Sequence, residues 1–312
     1  MSILRPQQIK NGILFVGIFL FVLGVFVIWR MIFVPTHIAE DPAFVAAPVM
    51  RVGVAHPLLA NLIHEIGGSY VQVISMKEPG TSLEDTTDMC HEAVVFFGLN
   101  ATADGWIKEV CGSGNDKTAV LFLDTYGGLN QGETSVASSS DSFSQNGGGY
   151  YWLTVQGGKN IARAIAKVLS EIDPVHKVTY LDAAYTVAYQ LDDLYGSIKD
   201  KIYNLKSAPI LVWGEGWQGI VQEYEGTIKQ TIPVPQNDQE RKTTIEHIAA
   251  DLQKNPRTII IGDTTLPFEE IKKLYRDGGR RMVILDPWGT FSDIWPYKVF
   301  VQQNLLRITQ AL

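Results

Sequence analysis

Residues 51–68 read RVGVAHPLLANLIHEIGG, and this stretch indicates the class of fold. Its first five residues form a short apolar run, which predicts a buried β-strand. Pro57 then opens a helix, and Gly67-Gly68 ends it. Similar short apolar runs predict further strands in the first half of the chain, at 71–75, 94–98 and 119–123. Strands that alternate with helices predict a parallel sheet with helices on both faces.

The longest periodic stretch of the chain runs from Leu181 to Leu205, with apolar residues three and four positions apart. A helix of about 28 residues is about 40 Å long, which exceeds the width of one small domain. A second strand–helix series follows, with strands predicted at 210–213, near 231, at 258–262 and at 282–285. The sequence therefore predicts an α/β fold of two lobes, each a mainly parallel sheet flanked by helices. A long spine helix joins them, and the predicted limits are 51–177 for the N-terminal lobe, 178–206 for the linking helix and 207–312 for the C-terminal lobe.

The N-terminus carries an apolar segment. Residues 13–29 (ILFVGIFLFVLGVFVIW) contain no charge, and the apolar run resumes after Arg30. About 20 such residues span a bilayer, and Arg5 and Lys10 before the run place the N-terminus in the cytoplasm. We expect residues 1–35 to form a cytoplasmic tip and a single transmembrane helix, and 36–50 to tether an extracytoplasmic globular part to the cell membrane. A cleaved signal peptide is the alternative, but the run is longer than usual and no small-residue cleavage site closely follows it.

The composition excludes several classes of protein. The 312 residues are 46% hydrophobic and 19% charged, with a net charge of −7. These values do not fit a disordered chain, a collagen or a polytopic membrane protein. An acidic globular part is also a poor candidate for binding nucleic acid. Because no nucleophile elbow, phosphate-binding loop or His-Glu-x-x-His motif occurs in the sequence, we expect a protein that is not an enzyme.

The chain has two cysteines, Cys90 and Cys111, too few for a disulfide-built scaffold or a four-cysteine zinc site. Cys90 precedes the third predicted strand, and Cys111 ends the helix that follows that strand. Both points lie at the same end of a strand–helix unit, so a disulfide is geometrically allowed in an oxidising compartment. Buried free thiols and a metal-binding role are the alternatives.

Several pieces of sequence occur in a characteristic order. They are residues 57–68, Pro79-Gly80, Trp152-Leu153, residues 171–174 (EIDP) and Leu285-Asp286-Pro287. From Val52 to the C-terminus, this order resembles the extracellular solute-binding proteins of zinc- and manganese-importing ABC transporters. The resemblance implies a protein that hands its ligand to a membrane ABC permease. It also implies a rigid helix between the lobes, so that closure around the ligand is small.

The resemblance also implies positions for metal ligands, and here the sequence departs from the family. Family members bind metal through three His and one carboxylate, or two His and two carboxylates. Glu84 stands where the first His falls, Tyr150 where the second falls, and Glu215 in the stretch where the third is found. Asp263 lies at the fourth position, and Asp286 matches the Asp of the family. None of the expected His residues is present.

Carboxylates therefore dominate the predicted site, with Glu84, Glu215, Asp263 and Asp286 as metal ligands and Asp85 beside them. Zn²⁺ prefers imidazole and thiolate, whereas an oxygen-only set suits Mn²⁺, Mg²⁺ or Ca²⁺ better. A divalent metal ion, Mn²⁺ or Zn²⁺, is the expected cargo. The alternative is that these carboxylates serve loops and helix caps, which is the favoured interpretation for Asp286. For His56, after the first strand, an ordinary turn role is favoured over one in the cleft.

Aromatic residues follow the same predicted strands, and we predict Tyr150, Trp213, Trp217 and Trp288 as ligand-binding residues. Aromatic faces beside carboxylates are the components of a cage for an organic cation. The alternative, which is favoured, is that these rings fill the space left by the missing imidazoles.

Two functions remain after these exclusions. The first is a membrane-tethered solute-binding protein of a metal-ion ABC importer, with a cation or an altered ligand in the cleft between the lobes. The second is a descendant of that family that binds no ligand and serves as a scaffold or interaction module at the cell surface. Converging carboxylates favour the first, because without a cation they would repel one another. Carboxylates that make only capping hydrogen bonds favour the second.

Overall fold

The computed structural model describes residues 49–75, 90–111, 118–124, 149–274, 281–289 and 296–312. The predicted anchor, most of the tether, and the Gly/Ser-rich stretch at 126–148 lie outside these residues. Within the described ranges, no helix is long and apolar enough to cross a bilayer. The anchor at residues 1–35 therefore stays a prediction from the sequence.

The N-terminal sheet has four parallel strands in the order β2-β1-β3-β4. They are β1 (Met50–Val54), β2 (Val71–Ser75), β3 (Val95–Gly98) and β4 (Ala119–Phe122). Helix α1 (Pro57–Gly67) connects β1 to β2, and it begins with Pro57 as the sequence predicted. Two short helices, α2 (Ala101–Asp104) and α3 (Trp106–Cys111), lie between β3 and β4 in the chain.

The C-terminal sheet repeats this arrangement, with four parallel strands in the order β6-β5-β7-β8. Its strands are β5 (Pro209–Trp213), β6 (Thr227–Ile232), β7 (Ile259–Gly262) and β8 (Met282–Ile284). The accompanying helices are α6 (Gln218–Glu223), α7 (Asp238–Lys254), α8 (Phe268–Leu274) and α9 (Tyr297–Ala311). The predicted α/β fold of two parallel sheets flanked by helices is confirmed.

Two longer helices lie between the sheets in the chain, α4 (Val155–Ile172) and α5 (Lys177–Ile202). Helix α5 ends earlier than predicted, because the chain tightens into a 3₁₀ turn at Tyr203–Ser207. One face of α5, which includes Tyr180, Leu191 and Ile198, is buried. This helix packs along α4 and also contacts α1 and α9. The linking helix thus contacts elements from both halves of the chain, while the predicted domain limits stay predictions.

Both faces of the C-terminal sheet are covered at β5, β7 and β8, and this explains why these three strands are continuously apolar, whereas the edge strand β6 is largely polar and exposed. In β5, Ile210 and Val212 belong to the main core, which also includes β1, β3, α4, α5 and α9. The alternate residues Leu211 and Trp213 belong to a second core on the opposite face, together with residues of α7 and α8. The two faces follow from the two-residue period of a strand.

Cys90 and Cys111 are joined by a disulfide, with their Cα atoms 5.3 Å apart. Both residues are buried, in a small core with Ala93, Phe96 and Ile107. The bond closes a loop of 21 residues that contains strand β3. Disulfides persist in oxidising compartments, so the bond fits an extracytoplasmic location.

Replacing both cysteines by serine (C90S/C111S) is expected to lower the free energy of unfolding by about 2–4 kcal/mol. The loss arises because the reduced chain no longer has its unfolded state restrained by the loop. Urea unfolding of the variant beside the wild type measures the difference. Wild-type protein treated with dithiothreitol provides the control, because it should match the variant. Equal stability of oxidised and reduced wild type would contradict the prediction.

Candidate functional site

The strand order of each sheet reverses between its two central strands, β1 and β3 in one and β5 and β7 in the other. In open parallel sheets, ligands bind at such points, beyond the carboxyl ends of the strands. His56 follows β1, residues 214–216 follow β5, and Asp263 follows β7. Contacts between residues at these strand ends bring the two sheets together, so this region is the candidate site.

Tyr150 joins the two halves of the site. Its backbone N–H donates to the carbonyl oxygen of Gly216 at 2.8 Å, and its hydroxyl donates to the carboxylate of Asp263. Burial, together with the nearby charge of Asp263, raises the pKa of Tyr150 to about 12. The phenol is therefore protonated at neutral pH, where it remains a hydrogen-bond donor.

Glycines allow this close approach. A Cβ atom at Gly149 would lie 2.9 Å from the carbonyl oxygen of Gly216. Gly216 itself has a φ of 101°, in the region where side chains are strained, and its own Cβ would lie 3.1 Å from the Tyr150 ring. The backbone around Gly216 thus leaves room for the ring of Tyr150.

Asp263 holds the turn that follows β7. Its Oδ1 atom accepts hydrogen bonds from the backbone N–H and the hydroxyl of Thr265, at 2.8 and 2.6 Å. With the Tyr150 hydroxyl as a further donor, the carboxylate has three partners. Asp263 is only half-buried, so a cation could reach it by displacing the phenol.

Asp286 is buried and holds the turn after β8. Its Oδ1 accepts from the backbone N–H of Trp288 at 3.2 Å. The side chain of Asn304 in α9 makes two hydrogen bonds with the backbone of Asp286. Its Oδ1 accepts from the N–H of Asp286 at 2.8 Å, and its Nδ2 donates to the carbonyl oxygen of Asp286 at 3.2 Å. This agrees with the turn role favoured for Asp286 from the sequence, and it fixes the orientation of the carboxylate.

Of the remaining predicted carboxylates, the structure describes only Glu215. Glu215 is exposed on the turn between Gly214 and Gly216, and Glu84 and Asp85 lie outside the described residues. Across the ranges that the structure covers, no three His, Cys, Asp or Glu side chains are placed to hold a metal ion. The described part of the chain therefore offers Asp263 and Asp286 but not a complete set of ligands.

Two of the predicted aromatic residues are buried and already hydrogen-bonded. Trp213 belongs to the second core, and its indole N–H donates to the Thr265 hydroxyl at 3.0 Å. Trp217 is fully buried, and its indole N–H donates to the carbonyl of Trp213 at 2.8 Å. A ligand in the cleft would meet only Tyr150 and Trp288 of the four predicted residues.

The rings at the site pack against one another. The Tyr150 ring lies 4.6 Å from Trp217 and 5.7 Å from Trp288, and Trp152 lies 5.3 Å from Trp288, measured between ring centroids. The tilted and edge-to-face arrangements are those that aromatic pairs prefer. Neighbouring rings occupy the faces that a cage for an organic cation would need. The geometry favours the alternative that these rings fill the space of the missing imidazoles.

His56 is the histidine that the structure places in this region. Its Nε2 lies 2.7 Å from Oδ1 of Asp104, which is fully buried and whose Oδ2 accepts from the backbone N–H groups of Leu99 and Asn100. Its ring stacks on Trp288 at 4.7 Å, so it contacts the other sheet as well. From the sequence, an ordinary turn role was the favoured interpretation of His56. The signal for a role in the cleft was its place directly after a central strand.

Comparisons with known proteins agree with this fold. The high-affinity zinc uptake system protein ZnuA of Brucella abortus (strain 2308) is 24% identical over 162 residues, 51% of this chain and 48% of that protein. The chain thus aligns with about half the length of that relative. A structure of the solute-binding protein FpvC of P. aeruginosa with Ni²⁺ has a TM-score of 0.64 at 14% identity, covering 84% of this chain and 96% of that one. A Mn-bound periplasmic metal-binding protein from Candidatus Liberibacter asiaticus has a TM-score of 0.61 at 12% identity, covering 83% and 98%.

A family model settles the relationship. The model described as zinc-uptake complex component A, periplasmic, matches residues 52–311, which is most of the chain. This confirms the resemblance to solute-binding proteins of zinc and manganese importers. The chain belongs to the family of periplasmic component A of the zinc-uptake complex.

Proposed function

We propose that this chain is the solute-binding component of an ABC importer for divalent metal ions. The observation that carries the proposal is the family match over residues 52–311, which includes both sheets and the strand ends between them. Members of this family are binding components of transporters and not enzymes. The similar proteins named above include a zinc-uptake protein, a Ni²⁺ complex and a Mn-bound protein, which supports a divalent cation as the cargo.

Oxygen atoms are the proposed cargo ligands. Asp263 and Asp286 lie at the carboxyl ends of β7 and β8, and each is held in a defined orientation by a backbone N–H. Glu84 and Glu215 are the proposed additional ligands. A set of carboxylates suits the harder Mn²⁺ better than Zn²⁺. The Tyr150 hydroxyl must leave Asp263, or itself bind the ion, when the cargo enters.

Residues 1–35 are proposed as a retained anchor. The uncharged run at residues 13–29, preceded by Arg5 and Lys10, supports a single crossing with the globular part outside the cytoplasm. The disulfide between Cys90 and Cys111 supports the same location. A membrane permease of the ABC class is the proposed partner, and the anchor would keep the binding protein close to it.

Calorimetric titration of residues 36–312 with Mn²⁺ and Zn²⁺, after removal of metal, tests the proposal. We expect one-to-one binding of at least one of these ions. The ratio of the Mn²⁺ affinity to the Zn²⁺ affinity should be higher than the ratio for a histidine-rich site. Mass spectrometry of the protein as purified from cells identifies the metal that it carries. Failure to bind either ion, in folded protein, would overturn the proposal.

A second function is favoured by a specific observation. The phenol of Tyr150 is hydrogen-bonded to Asp263, the Asp286 carboxylate holds a turn, and the Tyr150 ring packs against Trp217. These contacts support a family member that binds no cargo and acts as a scaffold or interaction module at the cell surface. The titration separates the two functions, because only the first gives heat that saturates at one ion per chain.

A further inference from the structure

Helix α9 has no N-cap hydrogen bond from a residue next to it in the sequence. Its N-cap residue is Pro296, which has no side-chain acceptor. The backbone N–H of Tyr297, the first residue of α9, donates instead to Oε1 of Glu65 in α1 at 2.6 Å. The first N–H groups of a helix lack partners within it, and a carboxylate there also interacts favourably with the positive end of the helix dipole. A glutamate from the N-terminal half of the chain thus caps a helix of the C-terminal half.

The reverse contact occurs at the start of α4. Glu223, the last residue of α6, accepts hydrogen bonds from the backbone N–H groups of Val155 and Gln156, both at 2.9 Å. Thr154 caps the next free group, the N–H of Gly157, at 2.8 Å. Here a glutamate from the C-terminal half caps the helix that follows the N-terminal sheet. The two contacts are reciprocal.

The side chain of Tyr297 extends the contact from α9 to the residues before α4. It is buried, and its hydroxyl donates to the carbonyl oxygen of Trp152. Burial raises the pKa of Tyr297, and the charges of Glu223 and Glu65 raise it further. Gly158 in α4 permits the approach, since a Cβ there would lie 2.5 Å from Cε1 of Tyr297.

We infer that Glu65, Glu223 and Tyr297 form an interlobe clamp, which fixes the orientation of the two sheets and therefore the width of the cleft between their strand ends. The clamp is a property of the chain itself and does not depend on whether the cleft carries a metal ion. The clamp restrains the two sheets in addition to the linking helix α5, because each contact joins an element that precedes α5 in the sequence to one that follows it.

For both glutamates, the cost of burying the carboxylate is opposed by hydrogen bonds from the helix that it caps. Burial raises the pKa of Glu65 and of Glu223, whereas the hydrogen bonds from the helix N–H groups act in the opposite direction. The cost of removing each carboxylate from water is therefore partly offset by the helix it caps. Alanine at either position would leave the N–H groups of a helix start unpaired, whereas glutamine keeps an acceptor oxygen.

Distances between spin labels on the two sheets test the clamp. The labels are attached to cysteines placed at Gln72 in β2 and Gln230 in β6, both exposed, in the full-length chain purified in detergent. The native cysteines are bonded to each other and do not react. In the double variant E65A/E223A, double electron–electron resonance should give a broader distance distribution, shifted from that of the wild type. The midpoint temperature of thermal unfolding should fall by about 2–4 °C for each lost cap.

Four further variants keep the test decisive. The conservative single change E65Q should keep the wild-type distance distribution. The single change E246Q, which alters an exposed glutamate of α7, should also leave it unchanged. If the double variant does not fold, E65A and E223A are measured singly, and each should broaden the distribution in part. A folded E65A/E223A protein with the wild-type distribution would overturn the inference. Equal broadening in E246Q would do the same.

Discussion

Replacing Trp152 by alanine is expected to lower the free energy of unfolding by about 3–5 kcal/mol. The side chain is 1% exposed and packs against Tyr150, Tyr151 and Trp288. Its indole N–H also donates to the carbonyl oxygen of Pro287 at 2.5 Å, across 135 residues of chain. The substitution removes a large buried ring, leaves a cavity at the junction of the two sheets and leaves that carbonyl without its donor. Equilibrium unfolding in urea, followed by circular dichroism, measures the loss.

Two further variants separate the ring from its hydrogen bond. Trp152→Phe keeps much of the buried ring but loses the N–H, so its destabilisation should be clearly smaller than that of Trp152→Ala. Trp106→Phe in α3, where the side chain is only partly buried, should have little effect. A loss below about 1 kcal/mol for Trp152→Ala would contradict the view that this tryptophan joins the two sheets.

The double substitution D263N/D286N is expected to weaken binding of a divalent cation by about 100-fold or more, which corresponds to about 2.7 kcal/mol. Both changes remove a negative charge from the proposed ligands. Asparagine retains a carbonyl oxygen, so the bonds from the N–H groups of Thr265 and Trp288 can persist and the turns should keep their shape. Calorimetric titration with Mn²⁺ measures the affinity, and circular dichroism verifies the fold.

The matched control is D200N, which removes a charge from an exposed aspartate of α5 and should leave the affinity unchanged. A third variant, Y150F, removes the hydroxyl that binds Asp263. If the phenol only blocks the carboxylate, Y150F should bind the cation as well as or better than the wild type. Wild-type affinity in D263N/D286N would exclude these two aspartates as ligands.

Much of the fold could be predicted because it follows from local patterns. The alternation of short apolar strands and helices indicated two parallel sheets, and Pro57 and Gly67 marked the ends of α1. The turn role of Asp286 could also be anticipated from the proline that follows it. The end of α5 was less predictable, since the apolar period continues through Leu205 although the helix changes to 3₁₀ geometry at Tyr203.

The site was harder to predict because its contacts join distant parts of the chain. A sequence shows that Trp213 ends a strand but not which face of the sheet it occupies, and it lies on the face opposite the main core. The pairing of His56 with Asp104 and its stacking on Trp288 depend on the packing of the sheets. The caps from Glu65 and Glu223 span 232 and about 68 residues, so no local pattern reveals them.

X-ray absorption spectroscopy of the protein loaded with one equivalent of Mn²⁺ or Zn²⁺ tests the central claim most directly. The claim is that a member of this metal-binding family holds its cargo through oxygen ligands, with Asp263 and Asp286 among them. The predicted spectrum shows a first shell of oxygen atoms at distances typical of carboxylates, without the outer-shell scattering of imidazole rings. Imidazole scattering from the bound ion would contradict the claim and would direct attention to His56.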